Sequence, residues 1–161
     1  MDDPKRTAQR HADLEALGRL VRCARVAHLG TLRTGAPMVS MTLFLAAERL
    51  DAFYVHVSRL AWHTQDMLQD PRVALSIAEN DDGRADPFTL MRVTARGEAA
   101  RIEDESGELK AKWLARFPEQ AINFELADFS FWKIIPRDAR FVAGFGRIYN
   151  LSAAELAGER R

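Results

Sequence analysis

The chain contains a single cysteine, Cys23, among 161 residues. An internal disulfide is therefore excluded, and nothing supports a thiolate zinc site. No apolar run approaches the roughly 20 residues that a membrane-spanning helix needs. The first residues, MDDPKRTAQRH, are polar and do not read as a secretion signal. Neither sign of charge is in excess, with 23 Lys and Arg against 23 Asp and Glu. That balance creates no general field toward nucleic acid or an anionic membrane, so any anion site must be local. G-x-S-x-G, a Walker loop, G-x-G-x-x-G and H-E-x-x-H are all missing, so no catalytic residue can be named. The four histidines, His11, His28, His56 and His63, do not stand at short metal-ligand spacings, and no metal site is expected. These absences point to a cytoplasmic protein without a membrane or nucleic-acid partner.

What is present is an apolar fraction of 47%, ordinary for a globular protein. The length suits one domain with a sizeable core. Residues 7–25 read as a helix, because Leu14, Leu17, Val21 and Ala24 recur at helical spacing. Cys23 falls inside that pattern and is expected to be a buried, inert thiol. Short strands follow at 26–32, 37–45 and 52–57, and another opens at Pro71. A long strand, 88–102, is interrupted by Gly97, which signals a bulge or a barrel corner. Residues 60–69, the segment EDESGELKAKWLARFP and 119–126 read as helical. Strand 129–135 should stop at Pro136, with a further strand at 139–145. The tail LSAAELAGERR is read as a short helix with a mobile, charged end. Strands without regular βαβ alternation argue for an antiparallel barrel with peripheral helices, mainly β in the α+β sense.

One junction stands out. SRLAWHT, residues 58–64, lies where a strand ends and a helix begins. Ser58 reads as the helix N-cap. Arg59 and His63 bring basic groups to the end that already carries the positive half of the helix dipole, which an anion would relieve. Trp62 stacks beside a ligand ring or seals the helix against the barrel. Alternation places Ser40 and Thr42 on one side of their strand, with Val39, Met41, Leu43 and Leu45 on the other. Arg92, Thr94 and Arg96 share a side of theirs. If these polar faces meet near residues 58–64, they form a groove suited to a phosphate carried on a polar planar ring.

Four segments in order, GAPMVSMTLF, AFYVHVSRLAWHTQDMLQDPRVALSI, LMRVTARGEAARI and FWKIIPRDARFVAGFGRIYNL, resemble the pyridoxamine 5′-phosphate oxidase-like FMN-binding split-barrel family. The S-x-L-x-x-H-T segment and the G-F-G near the C-terminus are most similar to its haem-utilisation branch. The resemblance implies one six-stranded antiparallel split β-barrel of Greek-key type, with an N-terminal helix over 1–25, the barrel over 26–151 and a tail over 152–161. It also implies a homodimer with FMN at the subunit interface. Ser40, Met41 and Thr42 would lie against the isoalloxazine, and Val57, Ser58, Arg59, His63 and Thr64 around the phosphate. Trp62 and His63 stand where the oxidases carry an Arg-Lys pair, so phosphate affinity would depend on His63 charge and fall as pH rises. Arg92 replaces a glutamine and would reach the phosphate or the flavin edge. The R-L-H-D-R-like end of true pyridoxamine-phosphate oxidases is replaced by GRIYNL, which argues against that substrate. The implied activity is an FMN-dependent oxidoreductase of unassigned small-molecule substrate. The alternatives are a haem-binding or haem-degrading protein, with His28 or His56 in place of the missing terminal histidine, and a flavin-binding module without turnover.

Overall fold

The computed structural model describes residues 4–158. Helix α1 (Pro4–Cys23) precedes β1 (Val26–Arg33), β2 (Ala36–Leu43), β3 (Leu45–Ala46) and β4 (Phe53–Ser58). Helix α2 (Trp62–Gln69), β5 (Arg72–Ala78), β6 (Arg92–Ile102) and helix α3 (Glu108–Arg116) come next, followed by β7 (Phe129–Gly144), β8 (Arg147–Ser152) and helix α4 (Ala153–Leu156). The strands form one antiparallel sheet in the order β2-β1-β5-β6-β7-β4-β3, with β8 added on β7. β2 and β3 stand at opposite ends of that order, yet only Phe44 separates them in sequence. A sheet whose two ends are joined by one residue must curl on itself, and it does so as a mainly β split barrel.

Period-two alternation fills the interior. Ala27 and Leu29 of β1, Phe53, Val55 and Val57 of β4, and Val73, Leu75 and Ile77 of β5 all point into one core, with Phe44, Phe141 and Ile134. Helix α1 adds Leu17 and Val21. A second cluster forms on the other side of the β4–β7 pair, where Trp113 of α3 and Phe117 just after it close over Phe131 and partly buried Phe124. The aromatic residues assigned to that helical segment thus cover one part of the sheet's outer face. Among the described residues no helix covers the rest of that face, over β1, β5, β6 and the second half of β7.

Several local expectations change. Eight strands appear where six were expected: the 37–45 strand divides at Phe44, the segments expected at 129–135 and 139–145 run together as β7, and Arg147–Ser152 adds an unforeseen strand. Pro136 does not stop β7. It sits opposite Gly97 at a break in register, where a missing N–H costs the ladder little. Gly97 is at the expected bulge, and a Cβ there would lie 2.1 Å from the carbonyl oxygen of Ile135. The strand expected from Phe88 begins at Arg92, since Pro87–Thr89 form a 3-10 turn capped by Asp86. Cys23 is exposed rather than buried, because it ends α1 on the side away from the core. In the tail, Ser152 and Glu155 make a capping box at α4, and residues 159–161 lie outside the described residues. Among the described residues no helix is long and apolar enough to cross a membrane.

Candidate functional site

The junction after β4 is a tight turn. The Ser58 carbonyl accepts from Ala61 N–H (3.1 Å) and the Ser58 hydroxyl from Leu60 N–H (3.0 Å). That hydroxyl also donates to the Asp128 carboxylate, while Arg59 N–H donates to the Asp128 carbonyl (2.7 Å). Ser58 is therefore not the cap of α2. The helix starts at Trp62 with Ala61 in the N-cap position and no side-chain cap. The serine sits too early and is held by a residue 70 positions away, a partner that no local pattern announces.

Trp62 is exposed, and the Arg33 guanidinium lies 4.1 Å from the centre of its ring, a cation–π arrangement. Arg33 also pairs with Asp66 (3.0 Å), a buried carboxylate that accepts from the Thr31 hydroxyl (2.8 Å). This Thr31–Asp66–Arg33 set fastens α2 to β1 and was not foreseen. Its signal was a lone Asp on the inner side of a short amphipathic helix. Burial lowers the pKa of His63, with Asp66 opposing in part. His63 is therefore harder to protonate than a free histidine. Two polar atoms remain orphaned here: His63 Nε2 and the Thr64 hydroxyl, on a side chain only 2% exposed. Val57 is a core residue, so its side chain faces the barrel interior.

The groove expected between Ser40/Thr42 and Arg92/Thr94 does not form, because these pairs lie on opposite faces of the sheet. Ser40 pairs with Leu29 and Thr42 with Ala27, both inward, and the Thr42 hydroxyl donates to the Leu43 carbonyl (3.0 Å). Met41 pairs with His28, His28 with Ser76, Ser76 with Thr94 and Thr94 with Arg140, which makes one row across the outer face. Val39, Gly30, Ala74, Arg96 and Asp138 make the next row. Thus Met41 shares a face with Arg92 and Thr94, whereas Ser40 and Thr42 do not. The apolar residues of β2 point outward: Val39 is 64% and Met41 67% exposed.

This open face carries two adjoining concavities. A groove of about 840 Å³ runs along β6, β7 and β8, lined by Arg92, Arg96, Arg137, Arg140 and Asp138 with Thr94, Val142 and Asn150. Four guanidinium groups against one carboxylate give a local excess of three positive charges in a chain that is neutral overall. Arg96 is neutralised by a two-pronged pair with Asp138 (2.8 Å at both contacts). Arg140 donates to the Asn150 side chain (2.9 Å) and Arg92 to the Phe88 and Leu90 carbonyls, and among the described residues neither has a carboxylate partner. A second groove of about 540 Å³ adjoins it over Gly30, Val39, Ala74 and Gly97 and shares Arg96 and Arg137. The face can therefore accept a flat ligand with anionic groups at one edge.

The chain matches the family model described as pyridoxamine 5′-phosphate oxidase over residues 14–143. It is 30% identical over 138 residues to the chloroplast non-canonical heme oxygenase HOZ of Arabidopsis thaliana, across 85% of this chain and 41% of that protein. To the heme oxygenase HutZ of Vibrio cholerae it is 27% identical over 127 residues, across 76% of this chain and 70% of the relative. The chain thus spans about two fifths of the plant relative's length. Among solved structures, a heme binding protein from Mycobacterium smegmatis superposes with a TM-score of 0.80 at 27% identity, over 91% of this chain and 60% of that one. ChuZ of Campylobacter jejuni shares the fold at 17% identity, with a TM-score of 0.72 over 94% of this chain and 61% of its own. The family match runs from α1 to the end of β7 and takes in the whole barrel except β8, and on that ground the chain belongs to the pyridoxamine 5′-phosphate oxidase family.

Proposed function

We propose that this chain is a haem-binding protein of the haem-utilisation type and that the open sheet face is its binding surface. The groove with Arg92, Arg137 and Arg140 carries the reading. Haem is a flat apolar macrocycle with two carboxylates at one edge, and this face pairs a flat floor (Gly30, Ala74, Ser76) with arginines along one side. Val39, Met41 and Ile148 expose apolar surface there. A ring laid on one copy leaves its other side in water, and a second copy would cover it, so the reading includes a homodimer that shares the site. Bound haem supplies the redox chemistry with dioxygen, while the chain binds it, orients it and limits water. Two of the relatives are named heme oxygenases, which makes haem degradation the activity to assay. Haemin titration of the purified protein should give a shifted Soret band that saturates at a fixed ratio. Light scattering should report a dimer. A Soret band indistinguishable from haemin in buffer removes the proposal.

A second reading keeps FMN, as an FMN-dependent oxidoreductase or a flavin-binding module. The orphaned Thr64 hydroxyl and His63 Nε2 at the start of α2 favour it, since a phosphate oxygen would satisfy the hydroxyl. In this reading Ser58, Arg59, Trp62 and His63 flank the phosphate and Met41 or Arg92 the ring. The Asp128 carboxylate that holds Ser58 and the lowered pKa of His63 both weaken that phosphate site, which leaves Arg59 as the cation of the segment. Quenching of flavin fluorescence on titration with the protein, lost in Thr64→Val, is the result this reading requires.

A further inference from the structure

We infer that His28 is the residue that ligates the haem iron on the open face, an inference that rests on the haem reading above. Four histidines are available, and the fold disposes of three. His11 lies on α1 beside Glu15 (3.6 Å), on no face of the sheet. His56 is stacked on Phe124 (centres 4.1 Å apart) inside the aromatic cluster under α3. His63 is half-buried at the start of α2, and its unpartnered Nε2 is enclosed by protein. His28 is the one histidine that projects from the open face, exposed, on a strand whose backbone is held on both sides by β2 and β5. A ligand on such a strand is fixed more firmly than one on a loop.

The surroundings of His28 are asymmetric in the way an amphiphilic ring requires. Toward β2 its neighbour is Met41, with Val39 beside it, both exposed and apolar. Toward β5 and β6 the floor is Ser76 and Thr94, which share a hydrogen bond (3.3 Å) and leave the surface low. Arg140 follows three strands from β1, about 14 Å away at the spacing of adjacent strands. A ring centred over His28 would rest its apolar edge on Met41 and turn its carboxylates toward Arg140 and Arg92. Among the described residues the imidazole has no hydrogen-bond partner, so ligation breaks no bond to them. Iron ligation there uses a strand residue near the start of the barrel, in a chain with no histidine beyond residue 63.

The test compares the full chain with His28→Ala, His28→Phe and the control His11→Gln, each titrated with haemin and read by its Soret band and ferric EPR spectrum. The parent and His11→Gln should share one histidine-ligated spectrum. Both His28 variants should lose it, and haem should leave them faster by at least the roughly 10–100-fold that loss of a supporting residue costs a metal site. Free imidazole should restore the parent spectrum to His28→Ala but not to His28→Phe, whose ring fills the space. Phenylalanine suits an exposed strand position, so a defect shared by both variants is not one of folding. If the parent binds haemin and the His28 variants give the same spectrum, the ligand assignment is wrong while the haem reading stands. If the parent takes up no haemin, both are overturned.

Discussion

The outer face of this barrel is divided into two unlike halves. On the β4 side it is aromatic and covered: α3 buries Trp113 and Phe117 against Phe131, with His56 among the rings. Across β1, β5 and the far half of β7 it is open, floored by small residues and edged with arginines. The division falls at the bulge, where Gly97 meets Pro136 and the register of β6 on β7 slips. Each half contains one histidine, His56 enclosed and His28 exposed. The same period-two alternation produced both, so the difference comes from what the chain lays over the sheet afterwards. The covered half belongs to stability, and the open half is available for binding.

Removing the cover should have the largest effect on stability. Trp113 is 1% exposed and touches Phe117, Phe131 and His56. Trp113→Ala should cost about 3–5 kcal/mol in urea unfolding, the usual price of a large aromatic lost from a core. A loss below about 1 kcal/mol would mean that the second cluster is not a working core.

Next in size is damage to the divide itself. A Cβ at Gly97 would meet the Ile135 carbonyl oxygen at 2.1 Å, so Gly97→Ala must push β6 and β7 apart. Overpacking of this kind costs about 1–3 kcal/mol. The same variant should also disturb the open face, because Arg96 is the next residue and pairs with Asp138 across the bulge. Unchanged unfolding would show that the strands separate more easily than the close approach implies.

A smaller effect separates the halves by pH. Burial, and then the charge of Lys110, lower the His56 pKa from 6.5 to about 4. His56 therefore takes a proton in the unfolded chain before it does in the folded one. As pH falls from about 6.5 toward 4, the unfolded state gains protons and stability drops; below about 4 this contribution is fully lost. His63, also lowered by burial, acts in the same direction. His56→Phe should flatten this acid limb and leave the remaining slope to His63 and, at the acid end, to Glu155, whose carboxylate is held low by hydrogen bonds from Ser152. The carboxylates held low by arginines, Asp70 and Asp82 at about 2, act only at more acid pH. An identical pH profile for parent and variant, read by thermal melting across that window, would show that His56 protonates without cost.

Much of this architecture was legible in the sequence, and the failures share a cause. The order of helices and strands and the Gly97 bulge followed from spacing. The family followed from four short segments in order. What local pattern could not give was which side of β2 faces inward. Val39 and Met41 are apolar and Ser40 and Thr42 polar, so ordinary alternation puts the apolar pair inside. The structure reverses this because Leu29 and Ala27 on β1 set the inner face, and β2 is an edge strand with its apolar side open. Pro136 and Ser58 misled in a similar way. One is absorbed by a bulge with a distant strand and the other is held by Asp128, and both partners lie far along the chain.

The smallest effect on stability should come from the open half, and that is where the comparison is most exposed to failure. Arg140 is exposed, and its partner is a neutral asparagine rather than a carboxylate. Arg140→Ala should change unfolding by no more than about 0.5 kcal/mol, as for a surface residue outside any buried network. Its effect on binding should be disproportionate. A guanidinium facing a carboxylate makes a charge-assisted bond, so haemin affinity should fall in Arg140→Ala and further in the double variant with Arg92→Ala. Added salt should weaken the parent more than the double variant, because screening acts on charges that only the parent still has. Were Arg140→Ala to unfold as readily as Trp113→Ala while binding haemin like the parent, the open half would be another piece of scaffold. A stable protein with weakened haemin binding instead means that four arginines gathered in a neutral chain are held there for a ligand rather than for the fold.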